Sequence, residues 1–274
     1  MHYTHNWLKR NPENNPALSR LLPPEAWAKI QICFQFARGA GALAQDLRLA
    51  TSERRQRLLA LETALAMGDE AKLPPFAIAF SRLAPPRSAL LACARDLITS
   101  FVQDMLKTRY QDYRDLQDYC QLATLPVARA LLIIMTSEEA ADKAALSALS
   151  ATCELLGHIQ DAGDDYLHHD RIYLPLDWFA FAQAPLKALA ASDTSKPLRL
   201  VFDRALDNCD TLLQKAKPLM PSLKNKEARR LALFFTLWAA RLSTRLRKRD
   251  PLASRVRVGR IGLYMCLLKA RINS

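Results

Sequence analysis

Asp161 and Asp165 stand four residues apart in the run Gln160-Asp161-Ala162-Gly163-Asp164-Asp165, at the end of a long apolar helical stretch that begins near Glu138. On a helix that spacing puts both carboxylates on one face, one turn apart. Two carboxylates so placed repel each other unless a positive charge lies between them. A magnesium ion bridging to substrate phosphates is the usual solution. The competing reading is a solvated acidic helix end. The apolar lead-in, and the Arg171-Ile172-Tyr173-Leu174-Pro175 that follows, set this pair apart from an arbitrary Asp-x-x-x-Asp.

Other chemistry-bearing residues are less persuasive. His158, His168 and His169 invite a metal reading. Adjacent residues splay apart on a helix, which argues against a metal shared by His168 and His169. Asp203, Asp207 and Asp210 have helical spacing and read as a solvated face. The six cysteines (33, 93, 120, 153, 209 and 266) are dispersed, mostly in apolar helical context, with no Cys-x-x-Cys. Buried free thiols in a reducing cytoplasm are expected.

The elements that must position these residues are helices. Half of the 274 residues are hydrophobic, only seven are glycine, and alanine and leucine abound. That composition favours helices over short strands with tight turns and is enough for a substantial core. Residues 1–22 form a polar segment in which Asn11-Pro12 and Asn15-Pro16 break any helix. Helices are expected from Pro23-Pro24 to Leu49, from a Thr51 or Ser52 cap to Gly68, and between Pro74-Pro75 and Pro85-Pro86. Further helices are expected over 87–107, 112–120 and 126–135. Ser137, Glu138 and Glu139 open the long helix that carries the aspartates, and 198–215, 224–248 and 254–272 complete the set. A single all-α domain over 23–274 is the simplest architecture.

No apolar run is expected to reach the roughly 18 to 20 residues that span a bilayer; Leu131–Met135 and Leu231–Ala240 are too short. His2, His5, Lys9 and Arg10 are not followed by the apolar region of a signal peptide. From Lys224 onward, 14 Lys and Arg face only Glu227 and Asp250, so the whole net charge of +12 resides there. Such a region can meet nucleic acid, anionic lipid or a diphosphate, or be a solvated face. Nucleic acid is set aside, because no reader motif accompanies the charge. An anionic membrane surface is an expected partner, with Leu242, Leu246, Ile261, Leu263, Tyr264 and Leu267 as apolar contacts. The expected location is the cytoplasm, including the inner face of the membrane.

Several of these stretches carry a family resemblance. Leu155 through Asp165, with Arg171-Ile172-Tyr173-Leu174-Pro175, resembles the second aspartate-rich motif of squalene and phytoene synthases. Asp104 to Tyr110 with Asp115 to Cys120, Pro126-Val127-Ala128-Arg129, and Val256 to Lys269 resemble three other segments of that family, in order and spacing. Glu13-Asn14-Asn15-Pro16, Phe36-Ala37-Arg38 and the Gln160 before the motif aspartate are closest to the bacterial hydroxysqualene synthase branch.

The resemblance implies an all-α prenyl synthase fold with helices around a central apolar cavity. It implies a prenyl diphosphate substrate, presqualene or farnesyl diphosphate, in squalene and hopanoid-type isoprenoid biosynthesis. Magnesium held by Asp161 and Asp165 would assist loss of diphosphate, and a dry cavity would protect the carbocation. Substrate contacts carry over to Arg38, Phe34, Tyr119, Gln160, Arg171, Tyr173 and Trp238. Arg38 has a second reading as a carboxylate's partner, Tyr119 reads as cavity wall, and Arg171 and Tyr173 also read as a lock on the loop.

The other aspartate-rich motif is missing. After Phe36-Ala37-Arg38 the family has Asp-Asp-x-x-Asp, and here those positions hold Gly41, Ala42 and Gln45. Asp46 lies one position later, about 100° away around a continued helix. Gly157 and Glu154 stand where the family has Asn and Gln, and Phe34 where it has a cavity Tyr. The chain is thus either an enzyme with one metal-binding motif, or an inactive homologue that binds prenyl lipid or partners an active synthase.

Overall fold

A computed structural model describes residues 16–136 and 142–273. The helices are α1 (Pro16–Leu21), α2 (Pro24–Ala44), α3 (Thr51–Met67), α4 (Pro75–Leu83), α5 (Ala89–Leu106), α6 (Tyr113–Ala123), α7 (Leu125–Thr136), α8 (Lys143–His169), α9 (Leu176–Phe181), α10 (Lys196–Lys215), α11 (Leu219–Ser222), α12 (Lys226–Lys248) and α13 (Arg260–Ile272). No strand occurs among the described residues; Arg109 and Ile172 form one isolated parallel bridge. The described residues gather into two compact units, one within Met1–Leu106 and Leu122–Glu139, the other within Lys107–Gln121 and Ala140–Ser274.

In the first unit α2 packs on α3, α4, α5 and α7. Gly39 permits the α2–α4 approach: a Cβ there would fall 2.3 Å from the Phe76 ring. Phe36 stacks on Phe80 at 4.1 Å beside it. Helix α2 ends at Ala44 rather than Leu49, because Arg48 reaches back to Asp46 and the chain turns. Helix α3 stops in a left-handed Gly68, φ 69°, as the sequence predicts. Its N-cap is Ala50, without a side-chain cap; Thr51 instead accepts from Arg54 Nη2 at 2.8 Å. Pro16 does not break structure locally: a proline tolerated in a first helical turn starts α1.

In the second unit α8 is the central element, packed on α10, α12 and the 3-10 turn Leu186–Ala190. The helix bearing the aspartates opens at Lys143, where Asp142 accepts from the Ala145 N–H at 2.9 Å. The expected opening at 137–139 lies outside the described residues. The expected helix over 254–272 begins only at Arg260. Residues 254–259 run irregularly, because Val256 and Val258 bury their side chains and Arg255 turns inward.

Among the described residues one helical stretch, Tyr113–Thr136, is long and apolar enough to cross a membrane by length and composition. Polar residues such as Asp115, Asp118 and Gln121 interrupt it, so it is not a continuous apolar run. Core helices of globular proteins meet the same condition.

Candidate functional site

The two aspartates project from one face of α8 and are both buried, Asp161 at 1% and Asp165 at 3% exposure, while Asp164 is exposed. The solvated helix end is thereby overturned. A buried carboxylate demands compensation. For Asp161 it comes from Arg255, whose Nη1 donates to Oδ1. That ion pair is nearly enclosed, with the arginine side chain at 23% exposure. Gln160 steadies the same segment by donating to the Val256 carbonyl oxygen. Gly163 lets the segment come close: a Cβ there would sit 3.1 Å from Leu252 Cδ2 and 3.3 Å from the Leu189 carbonyl oxygen.

Asp165 marks the turn out of α8. Its carbonyl oxygen accepts the Arg171 N–H at 3.0 Å and the Asp170 N–H. Asp170 takes the left-handed conformation, φ 48° and ψ 45°, which Asp tolerates better than most residues. Arg109 clamps the Asp170 carboxylate and carbonyl together. The Arg171-to-Pro175 run then lies along residues 108–111. Ile172 N–H donates to the Thr108 carbonyl, Leu176 to Tyr110 and Asp177 to Gln111, at 2.9 to 3.1 Å. Two motifs 60 residues apart in the chain are therefore one local structure.

Behind them lies a buried aromatic cluster. Tyr173 stacks on His158 at 3.9 Å, with the rings 13° from parallel. Tyr119 lies 5.3 Å from both Tyr110 and Tyr173. His158 Nε2 stands 3.5 Å from Glu154 Oε1, both residues buried. A small cavity here is lined by His158, Asp165, Arg171, Tyr173 and Leu189, among others. Tyr119 is fully enclosed, as a wall residue is. His168 is exposed, its ring against the Asp164 carbonyl at 3.3 Å.

The first unit holds Phe34 and Arg38 on α2. Phe34 is buried, edge-on to Trp27 at 6.5 Å. It lines a small apolar crevice with Cys33, Phe80, Leu97 and Leu131. Arg38 is half-buried. Gly41 is buried and Ala42 and Gln45 are half-buried, and none of the three is a carboxylate. Asp46 falls beyond the helix end and accepts from Arg48 Nε and Nη2, each at 2.7 Å. Those hydrogen bonds depress its pKa to about 2. Trp238 is half-buried on α12.

Among the described residues no group of three or more His, Cys, Asp or Glu is arranged to hold a metal ion. Asp203, Asp207 and Asp210 are partly solvated but not idle. Arg199 takes Asp203, and Arg247 takes Asp207 and Asp210 at 2.8 and 2.7 Å, tying α12 to α10.

Sequence reasoning misses Arg255 as the partner of Asp161, and Glu154 as the partner of His158. The alternation Arg255-Val256-Arg257-Val258 is the available signal for the first: a period of two argues for extended chain rather than helix. For the second the signal is the four-residue spacing.

The architecture matches solved structures. Squalene synthase HpnC from Alicyclobacillus acidocaldarius superposes with a TM-score of 0.73 at 19% identity, over 89% of this chain and 93% of that one. A dehydrosqualene synthase solved with a ligand gives a TM-score of 0.78 at 17% identity, over 98% of this chain and 93% of that one. The class defined by this fold is the all-α isoprenoid synthases. The Squalene/phytoene synthase family model matches residues 8–261, and the chain belongs to that family. Its relatives include the hydroxysqualene synthases of Sinorhizobium fredii, 28% identical over 95% of this chain and 88% of the relative, and of Rhodopseudomonas palustris, 30% identical over 89% and 82%.

Proposed function

We propose that the protein acts on presqualene diphosphate or a related prenyl diphosphate such as farnesyl diphosphate, in squalene or hopanoid-type isoprenoid biosynthesis. Similarity to hydroxysqualene synthases over most of both chains supports the substrate class. The reaction breaks the bond between carbon and the diphosphate oxygen. Both electrons leave with diphosphate, and the remaining carbocation either takes up one admitted water and releases a proton to give an alcohol, or loses a proton to give a hydrocarbon. The site must stabilise the departing negative charge and exclude water.

The observation that carries this reading is the buried Asp161–Arg255 pair. Magnesium is implied by the family resemblance, and the donors fit it poorly. A magnesium site needs near-octahedral oxygen coordination. Here Asp161 is already matched by a guanidinium, and Gly41, Ala42 and Gln45 supply no carboxylate. In this reading Asp161 orients Arg255, and the other N–H groups of that guanidinium donate to the diphosphate. Arg171 lies on the same cavity as Asp165 and is the second cation. Tyr119 and Tyr173 provide apolar enclosure.

A second reading follows from the absent motif: an inactive homologue that binds prenyl lipid or partners an active synthase. Incubation of the purified protein with presqualene diphosphate, with and without magnesium, separates the two. Released pyrophosphate together with a hydrocarbon or alcohol supports the enzyme. No turnover, and none gained with Gly41→Asp, Ala42→Asp and Gln45→Asp combined, leaves the binder.

A further inference from the structure

The last helix, α13, presents an apolar stripe that the protein leaves uncovered. Ile261 is 83% exposed, Tyr264 59% and Ile272 70%, and Met265 and Leu268 are exposed between them. These positions follow the i, i+3, i+4, i+7, i+11 pattern. At about 100° per residue they occupy an arc of about 100° on one side of the helix. Cys266, Leu267 and Ala270, on the opposite side, are buried, and α13 packs on α12. The helix therefore satisfies its core contacts with one face and still carries a second apolar face.

Cations border that face. Arg260 and Arg271 fall to one side of the stripe and Lys269 to the other, each within about 40° of its edge. All three are exposed, as is Arg257 just before the helix. No acidic residue follows Asp250. An apolar stripe with basic residues on both flanks matches the boundary of an anionic bilayer: apolar side chains enter the acyl region, Tyr264 sits at the interface, and the long cations reach the headgroups. A second copy of the chain is disfavoured as the occupant, because the same cations would face one another.

We infer that α13 is an interfacial helix that docks this protein on an anionic lipid surface. Leu242, Leu246 and Leu267, expected from sequence to take part, are buried and do not. Met265, Leu268 and Ile272 do.

The test is co-sedimentation of the full-length protein with vesicles of roughly one-third phosphatidylglycerol in phosphatidylcholine, against vesicles of phosphatidylcholine alone. Binding is expected only with the anionic lipid, weakening as salt is raised. The Ile261→Glu, Leu268→Glu, Ile272→Glu triple variant is expected to lose at least about ten-fold in partition coefficient. Its circular dichroism should be unchanged, since all three side chains are exposed. Arg260→Glu with Lys269→Glu should lose binding as well. Four results overturn the inference: no binding to either vesicle, equal binding to both, undiminished binding by the triple variant, or self-association through α13 in sedimentation velocity without lipid binding. Binding to polyglutamate but not to anionic vesicles would also overturn it, and would indicate an acidic protein partner.

Discussion

Asp161 lies almost wholly out of water, so what neutralises it decides both stability and chemistry. Removing one member of a buried ion pair leaves a charge without compensation and costs about 3–5 kcal/mol. Arg255→Ala is therefore expected to lower the midpoint of thermal unfolding by several degrees. Asp161→Asn with Arg255→Gln, which removes both charges, should recover much of that loss. A double-mutant cycle by calorimetry measures the coupling, and additive losses would contradict the pairing. The pair Arg247 with Asp207 and Asp210 makes the contrast. Its carboxylates are half or more exposed, so solvent screens them, and Arg247→Ala should cost only about 1 kcal/mol or less. The thiols give a pH dependence. Burial pushes Cys33 and Cys153 up to about 12, from an ordinary value of 9.0. The folded state then holds these protons more tightly than the unfolded chain. Their contribution is complete below about pH 9 and is lost as pH rises toward 12. Unfolding midpoints compared between pH 7 and pH 10 should fall more for the wild type than for a Cys33→Ala, Cys153→Ala variant.

Elements show which signals a sequence carries openly and which it hides. The end of α3 is legible because glycine adopts φ 69° more readily than any other residue, and Gly68 stands where the apolar period stops. The aspartate spacing on α8 is legible because helix geometry converts a four-residue interval into a shared face. The burial of that face is not, since it depends on Arg255, 94 residues away in the chain. The premature end of α2 is hidden for a similar reason: the apolar period continues to Leu49, but the Asp46–Arg48 fork favours a turn. Glycine positions carry a prediction at this scale. Gly39→Ala would drive a Cβ into the Phe76 ring, and overpacking of this kind typically costs about 1–3 kcal/mol. Phe76→Leu should rescue part of it, as read by denaturant midpoints. An unchanged midpoint in Gly39→Ala would contradict the α2–α4 packing.

At the scale of the whole molecule, the family relationship sets the fold and the departures set the question. The resemblance over residues 8–261 accounts for the helical architecture and for the order of the motifs. It does not carry the first set of carboxylates, and Asp46 lies beyond the end of α2, paired with Arg48. The basic C-terminal region divides its work. Arg255 is drawn in to Asp161, while Arg257, Arg260, Lys269 and Arg271 remain at the surface. Composition reveals the charge but not this division, because the sorting depends on where the chain stops being helical. Pyrophosphate release from presqualene diphosphate, compared between wild type and Arg255→Gln, tests the central claim most directly. Release by the wild type and a loss of roughly 100-fold in the variant, not restored by added magnesium, is the predicted result. Equal rates in the two proteins, or no release by the wild type, would contradict it.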